Sequence, residues 1–201
     1  LLDPELAAEP LRHVRKLRPS MSCFMSHIGV RGIDTEILKQ GQGYYWQQWD
    51  SDKVGTTGLR CKLFVPTLYE PAMAPVGCNV LLLQKVIEMD YSAISDWAVH
   101  KHEVEQRLFG YLQQIIPGID KHIVVKSSAT AMTSFRYTRN YQGAMLGWEM
   151  SPQQLGEFRP DVFSTIKNLY FTGHWARPGG GITPVIISAQ QVADEIIGQY
   201  G

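Results

Sequence analysis

Two kinds of hydrophobic periodicity alternate along the first two thirds of the chain. From Ser20 to Arg31, apolar and small residues occupy alternate positions, and the positions between them are also partly apolar, which is typical of a strand covered on both faces. Aromatic and β-branched residues at 44–49, 59–68 and 79–89 stand between breaks, as strands usually do. The pattern therefore predicts several strands before residue 90.

The period changes after Asp90. Five apolar residues recur there at helical spacing on one face, namely Val104, Leu108, Tyr111, Leu112 and Ile115. Ser95 or Asp96 is a candidate N-cap for this helix, and Pro117-Gly118 is a stop signal. Strand character returns over 121–127, and a short helix or an irregular turn follows over 128–141.

The last third of the chain ends in a short apolar run at 169–172, predicted as a buried strand, and a periodic stretch at 185–197, predicted as a helix. Strands first, then a helix, then strands at uneven spacing favour a mixed sheet with helices on one face. The predicted fold class is therefore α+β.

Composition excludes several classes of protein. With 201 residues, 44% hydrophobic and 19% charged, the chain is long and apolar enough to fold around a core. Nineteen basic residues offset nineteen acidic ones, so the electrostatic footprint of a nucleic-acid binder is missing. We expect no nucleic-acid partner.

The cysteines and histidines predict no metal site. Cys23, Cys61 and Cys78 are far apart and form no CxxC pair, and His100 and His102 diverge on a predicted helix. No apolar run approaches the roughly 20 residues of a membrane span, and the chain begins without a signal-peptide pattern. We expect a cytoplasmic protein, with peripheral membrane contact left open, and the start at Leu1 suggests the cut edge of a longer chain.

The loop between the predicted C-terminal strand and helix carries the candidate chemistry. Gly179-Gly180-Gly181 would let a flat ligand approach the main chain, and the free N–H groups of the following helix would stabilise negative charge on that ligand. Pro184 is acceptable in a first helical turn. Three consecutive glycines alone fit an ordinary glycine-capped loop as well.

The whole string 168–182, which reads NLYFTGHWARPGGGI, is more specific than its glycines. Together with Gly147-Trp148-Glu149 and Arg159-Pro160 it resembles the C-terminal flavin segment of the phytoene desaturase, carotenoid isomerase and retinol saturase family of FAD-dependent oxidoreductases. The resemblance is strongest over residues 143–198 and extends more loosely over most of the chain.

The resemblance implies that FAD is the cofactor. It implies that the helix beginning near Ile182 points its N-terminus at the flavin N1 and C2 carbonyl, where hydride transfer to N5 leaves negative charge. The implied cofactor-binding residues are Gly173 and His174 near the ribityl and pyrophosphate end, and Gly180, Gly181, Ile182 and Thr183 near the ring. His174 is open to the alternative that it only packs behind the strand.

One departure from the family pattern is large. The family binds the ADP half of FAD with an N-terminal βαβ unit bearing GxGxxG, and no such glycine pattern occurs here. We therefore expect residues 1–142 to be part of a substrate domain, residues 143–201 to be the C-terminal segment of the FAD-binding domain, and the βαβ unit to come from the same longer chain or from a partner.

Four aromatic residues are candidates for a substrate pocket, namely Trp148, Trp175, Tyr45 and Trp46. The first two flank the flavin segments, whereas Tyr45 and Trp46 fit a plain core or interface as well. No residue is identified as catalytic, because no serine or cysteine has the sequence spacing to a histidine or carboxylate that is typical of a nucleophile and its base.

The sequence predicts the C-terminal part of an FAD-dependent oxidoreductase. Its expected chemistry is desaturation, saturation or isomerisation at C–C bonds of a long apolar polyene or related isoprenoid, by analogy with the family. The alternatives are one subunit of a split flavoenzyme, and a non-catalytic module that binds an apolar ligand or a partner.

Overall fold

The computed structural model describes residues 12–46, 59–87 and 91–200, and these fall into two compact units. One unit takes the described residues of 22–138. The other takes 12–21 together with 139–200, so the first unit is an insertion in the sequence of the second. The predicted functional boundary between residues 142 and 143 lies near residue 139, where the chain returns from the inserted unit to the other one. The assignment of functions to the two units stays a prediction.

The inserted unit is built on a five-stranded sheet. The strands are β1 Ser22–Arg31, β2 Gly43–Trp46, β3 Leu59–Phe64, β4 Cys78–Ile87 and β5 Ile123–Ala129, in the order β2-β3-β4-β1-β5. The helices are α1 Thr35–Gly41, α2 Trp97–Ile115, α3 Ala131–Thr138 and, in the other unit, α4 Ile182–Tyr200. Short 3₁₀ turns occur at Pro66–Leu68, Pro71–Met73, Tyr91–Ala93, Ile119–His122, Tyr141–Gly143, Pro152–Gln154 and Gly156–Phe158.

The sheet confirms the α+β class but differs from the expected mixed sheet. Every strand pairing that the structure describes is antiparallel. The reason is the position of β1, which pairs with β4 on one side and with β5 on the other. Helix α2 therefore connects two strands that run parallel but are not neighbours, so the crossover produces no parallel pairing.

The core of the inserted unit lies between the sheet and α2. Along β1 the side chains alternate, with Phe24, Ile28 and Val30 fully buried and the intervening positions half-buried or exposed. The expectation that both faces of β1 are covered is thus only half met. The predicted face of α2 is confirmed, because Val104, Leu108 and Leu112 complete the same core.

The ends of α2 follow the predicted signals. The Asp96 side chain accepts hydrogen bonds from the backbone N–H groups of Ala98 at 2.8 Å and Val99 at 3.0 Å, as an N-cap does. After the helix, Gly118 adopts φ +80°, a left-handed conformation that favours glycine. Asp96 rather than Ser95 is therefore the cap.

The other unit consists mostly of loops and one long helix. Residues 18–21 run antiparallel to 145–149, where Ser20 N–H donates to Gly147 O at 2.7 Å and Met145 N–H donates to Met21 O at 3.0 Å. Its buried apolar cluster is small, comprising Val162, Ala176 and Val192 with Tyr170 packed against it. The predicted helix is confirmed and is longer than expected, since α4 extends over Ile182–Tyr200.

The predicted buried strand at 169–172 is wrong as stated. Only Tyr170 forms a β-bridge there, to Phe163, and Phe171 and Thr172 are exposed. Residues 162–164 pair with the segment through only two described backbone hydrogen bonds, Phe171 N–H to Val162 O at 2.8 Å and Ser164 N–H to Leu169 O at 3.3 Å. This pairing is too short to make the segment a strand. The apolar sequence of the segment therefore predicted its extended form but not its burial.

Candidate functional site

The loop that precedes α4 presents main chain rather than side chains. Gly173 and Gly181 have φ of +96° and +114°, and no atom lies within 4 Å of the position that a Cβ would take at Gly173. At Gly181 the closest such atom is Pro184 Cδ, at the ordinary contact distance of 3.4 Å. Ile182, the first residue of α4, is 84% exposed. Both glycines therefore leave room for a flat molecule beside the positive end of the helix dipole.

Ser188 fixes the start of this loop. Its buried Oγ accepts a hydrogen bond from the Gly173 N–H at 2.9 Å and donates one to Val185 O at 2.7 Å. One hydroxyl on the second turn of α4 thus connects the end of the extended segment to the helix. The sequence interpretation missed Ser188, although a serine inside an apolar helical stretch was the available signal.

Two other glycines are needed for packing within the protein. A Cβ on Gly147 would lie 2.1 Å from His174 O, and a Cβ on Gly180 would lie 2.6 Å from Leu146 O. Gly147 also adopts φ +73°. The segment around Leu146 therefore packs directly against the loop, and the Cβ side of Gly180 is closed by protein.

The side chain of Arg159 packs against the glycine loop at Gly179. Its side chain is fully buried, and a Cβ on Gly179 would lie 2.2 Å from its Nη1. Nη2 donates to Trp148 O at 2.6 Å and to Glu149 O at 3.1 Å, and Nε donates to Gln154 O at 3.3 Å. Burial lowers the pKa of Arg159, but a guanidinium stays protonated in proteins. A positive charge therefore lies against the loop, on the side where a Cβ of Gly179 would lie.

Asn140 holds His174 and Trp175 together. Its Oδ1 accepts a hydrogen bond from Trp175 Nε1 at 3.1 Å and lies 3.2 Å from His174 Nε2. Because the indole N–H is only a donor, the atom facing both rings is the oxygen, so His174 Nε2 carries a proton. Burial and, to a smaller extent, the charge of Arg159 lower the pKa of His174. The ring is therefore neutral near pH 7, with Nδ1 as an acceptor.

Trp148 and Trp175, two of the four predicted pocket residues, are brought together. Their ring centroids are 4.7 Å apart in an edge-to-face arrangement. Both line a cavity of about 520 Å³ in this unit, whose other apolar walls include Phe163, Phe171 and Pro160. The buried indole N–H of Trp148 finds no acceptor among the described residues, which suits a site completed by a ligand or by further chain.

The other two predicted pocket residues belong to the inserted unit. Tyr45 lies on β2, donates a hydrogen bond to Gly41 O and borders a separate cavity of about 650 Å³ together with Ile37 and Tyr111. Trp46 ends β2, and its side chain lies outside what the structure describes. The four predicted pocket residues are therefore divided between the two units, and the two pairs are described separately.

The predicted cofactor residues all lie on or beside this loop. Gly173 and His174 are half-buried, Gly180 is half-buried against Leu146, and Gly181, Ile182 and Thr183 are exposed. Sequence reasoning gave no separate role to Arg159, quoted only as part of a motif, and it missed Asn140. Open glycine backbone, free helical N–H groups and a buried cation together fit the electron-rich edge of a flavin.

Comparison with known proteins identifies the class. The family described as flavin containing amine oxidoreductase matches residues 1–197, so the chain belongs to this family and a flavin is the cofactor implied. A solved oxidoreductase from Methanosarcina mazei shares the fold, with a TM-score of 0.55 and 17% identity over 96% of this chain and 38% of that one.

The curated relatives include enzymes of carotenoid chemistry. The zeta-carotene-forming phytoene desaturase of Myxococcus xanthus is 26% identical over 98% of this chain and 39% of its own length. The lycopene-forming phytoene desaturase of Pantoea ananas is 31% identical over 65% of this chain and 27% of its own length, and the 4,4'-diapolycopene oxygenase of a Methylomonas species is 24% identical over 94% and 40%. The resemblance to the phytoene desaturase family is thereby confirmed.

The chain spans about two fifths (39%) of the length of the Myxococcus xanthus phytoene desaturase. Among its described helices, none is both long and apolar enough to cross a membrane. Within residues 12–46, 59–87 and 91–200, no group of three or more His, Cys, Asp or Glu side chains could hold a metal ion.

Proposed function

We propose that this chain is the C-terminal part of an FAD-dependent oxidoreductase that desaturates, saturates or isomerises C–C bonds of a long apolar polyene or related isoprenoid. The observation that carries the proposal is the open backbone at Gly173 and Gly181 in front of the exposed start of α4, in a chain of the flavin family. The carotenoid enzymes among its relatives supply the substrate class.

A bound flavin would exchange hydride with the substrate at N5, and the reduced ring would carry negative charge at N1 and the C2 carbonyl. The chain's own contribution is positioning and electrostatics. The free N–H groups at Ile182 and Thr183 supply donors to that edge, whereas Pro184 supplies none. Gly173 and His174 would contact the ribityl and pyrophosphate end of a bound FAD, and Gly181 would face its ring. Gly180 packs against Leu146 and so keeps the loop in place.

The apolar cavity beside Trp148 and Trp175 is the part of the proposal that concerns the substrate. Its walls are mostly apolar, as a pocket for part of a polyene requires, and its volume of about 520 Å³ falls in the usual range of ligand pockets. Asp161 at its edge is paired with Arg177 at 2.7 Å, so this carboxylate presents no uncompensated charge to an apolar guest.

The ADP half of FAD needs a unit that these residues do not include. Ile182, Ile186 and Ile197 on α4 are 84%, 60% and 65% exposed, which leaves an apolar helix face available for packing. We assign this face to the GxGxxG unit, supplied by the rest of a longer chain or by a second subunit. The same exposed face favours the second candidate function, a partner-binding module.

Peripheral contact with lipid is the remaining part of the proposal. Tyr69, Met73 and Val76, on the connection between β3 and β4, are 67%, 57% and 103% exposed. Such residues can enter the membrane interface without a spanning helix. Flotation with uncharged lipid vesicles should recover the protein, and Met73→Asp should reduce the recovered fraction; equal recovery of both would remove this part of the proposal.

The flavin site is tested by two glycine substitutions at positive φ, Gly181 at +114° and Gly156 at +58°, and the urea midpoint of each variant is measured beside its flavin content to separate strain from lost binding. Gly181→Leu and Gly156→Leu both place a side chain at a positive φ with open space around it, but only Gly181 lies on the loop before α4. In the flavin-loaded protein we expect Gly181→Leu to lose most bound flavin absorbance and Gly156→Leu to keep it. Equal flavin content in both variants would refute the assigned ring position.

A separate prediction follows from the lack of a GxGxxG unit in these 201 residues. The chain of 201 residues by itself should bind FAD weakly or not at all, because its sequence contains no pyrophosphate-binding GxGxxG. Adding the GxGxxG unit as a second polypeptide should restore binding in a fluorescence titration. Sub-micromolar affinity of the chain alone would contradict this division of labour.

A further inference from the structure

Arg159 is a buried cation without a carboxylate partner among the described residues. Its side chain is fully buried, and all its described partners are three carbonyl oxygens and the sulfur of Met150. Among the described residues no carboxylate lies within ion-pair distance of it, since Glu149 pairs with Arg18 and Asp161 pairs with Arg177. Burying a charge without a counter-charge is costly, and the hydrogen bonds to main chain fix the position of the guanidinium without neutralising its charge.

The position of this charge suggests what it serves. Gly179 has no side chain, and the guanidinium occupies the place where one would lie, at 2.2 Å from the Cβ position. The charge therefore lies against the buried main chain of Gly179, two residues before the exposed Gly181. Inside protein, where water does not screen it, a charge acts over such a distance far more strongly than at a surface.

We infer that Arg159 stabilises the negative charge of the reduced flavin from behind the glycine loop, acting through the main chain at Gly179 rather than by contact. The inference rests on the proposed function. It adds a fixed full charge to the partial charges of the α4 N-terminus, and it assigns Arg159 a role in setting how readily the flavin accepts electrons.

Sulfite is a suitable probe because its sulfur lone pair adds to N5 of an oxidised flavin and places the same negative charge on the ring without any substrate.

Three variants of the flavin-loaded holoenzyme should be titrated. Arg159→Gln removes the charge, Arg159→Lys keeps a charge, and Arg18→Gln removes a charge from an exposed side chain of the same unit. We expect Arg159→Gln to raise the sulfite dissociation constant by about tenfold or more, about 1.4 kcal/mol for each factor of ten, and Arg18→Gln to leave it unchanged. The flavin midpoint potential should fall in parallel in Arg159→Gln.

Arg159→Lys keeps the inference testable if the glutamine variant fails to fold or to bind flavin. Burial lowers the pKa of a lysine, so its charge should be lost as pH rises, whereas arginine stays charged. The sulfite affinity of Arg159→Lys, divided by that of the wild type at each pH, should therefore fall between about pH 6 and pH 10. The titratable groups nearby, Glu149, Asp161 and His174, are present in both proteins, so the two proteins differ only in the side chain at position 159.

The outcomes separate the two proposals. A wild-type protein that is complete with its GxGxxG unit and still never holds flavin refutes the proposed function. A flavin-loaded wild type whose sulfite affinity matches that of Arg159→Gln, or a flat ratio for Arg159→Lys across the pH series, overturns the role of Arg159 and leaves the flavin site standing.

Discussion

The two compact units differ in what holds them together. The unit of residues 22–138 encloses a continuous apolar core between sheet and helix, in which residues such as Phe24, Leu83 and Leu108 are fully buried. Among the described residues of 12–21 and 139–200, the buried apolar cluster has three members, and polar side chains that bond to main chain, above all Arg159 and Ser188, connect the segments of this unit. The candidate site lies in the second unit.

The difference shows how a loop-built site can be kept in place with little core. Gln154 exchanges hydrogen bonds with the main chain of Arg18, and Ser20 Oγ accepts one from Leu146 N–H. Each such bond contributes only about 1 kcal/mol, but losing one partner of a buried pair costs more. The unit should therefore respond sharply to changes at polar and glycine positions, and the inserted unit to changes of apolar volume.

The largest effect is expected from a cavity in the inserted unit. Leu108→Ala removes a fully buried side chain of α2 and should lower the free energy of unfolding by roughly 2–5 kcal/mol. Val99→Ala, on the exposed side of the same helix, is the control and should change it little. Urea unfolding followed by circular dichroism measures both, and similar losses would mean that this core does not dominate the unit.

The second effect concerns close packing of main chain in the other unit. Gly147→Ala places a Cβ 2.1 Å from His174 O at φ +73°, whereas Gly156→Ala meets only its positive φ of +58°. We expect Gly147→Ala to cost about 2–4 kcal/mol and Gly156→Ala about 1 kcal/mol. If urea midpoints show equal costs, the contact of Gly147 with the loop is not maintained in solution.

The third effect tests a single polar connection. Ser188→Ala leaves the Gly173 N–H without its acceptor, and the loss should be about 1–2 kcal/mol. Ser151→Ala is the control, because the hydroxyl of Ser151 bonds only the partly exposed carboxylate of Glu149. Amide exchange at Gly173 should accelerate in the first variant alone; unchanged exchange would show that this bond does not hold the loop.

The smallest effect is a pH dependence. Because burial and Arg159 lower the pKa of His174, the folded protein binds fewer protons than the unfolded chain just below the ordinary value of 6.5. Stability should therefore fall as pH drops through about 6.5 and level off below the lowered pKa. His174→Asn should remove this part of the slope between pH 8 and pH 5, and His102→Gln, an exposed position on α2, should not.

The sequence predicted the inserted unit better than the other one. Hydrophobic spacing predicted α2 and its buried residues Val104, Leu108 and Leu112, because a core selects its residues through periodicity. It did not predict strand order, and the expected mixed sheet proved antiparallel because β1 separates β4 from β5. Pairing between distant segments leaves no local signal in a sequence.

In the other unit the motif located the loop but not what supports it. Glycine spacing cannot tell an open glycine such as Gly181 from one closed by protein such as Gly180, since the distinction depends on Leu146, far away in sequence. The apolar run at 169–172 predicted burial that the described residues do not provide. Arg159 and Asn140 act through tertiary contacts, and their residue types alone carry no such information.

The pairing of 18–21 with 145–149 also bears on changes in the inserted unit. It joins the segment before the insertion to the segment after it, within the unit that carries the glycine loop. The register of this pairing therefore depends on neither the length nor the sequence of the stretch between Met21 and Arg139. Changes within the inserted unit then leave the contact of Gly180 with Leu146, next to this pairing, in place.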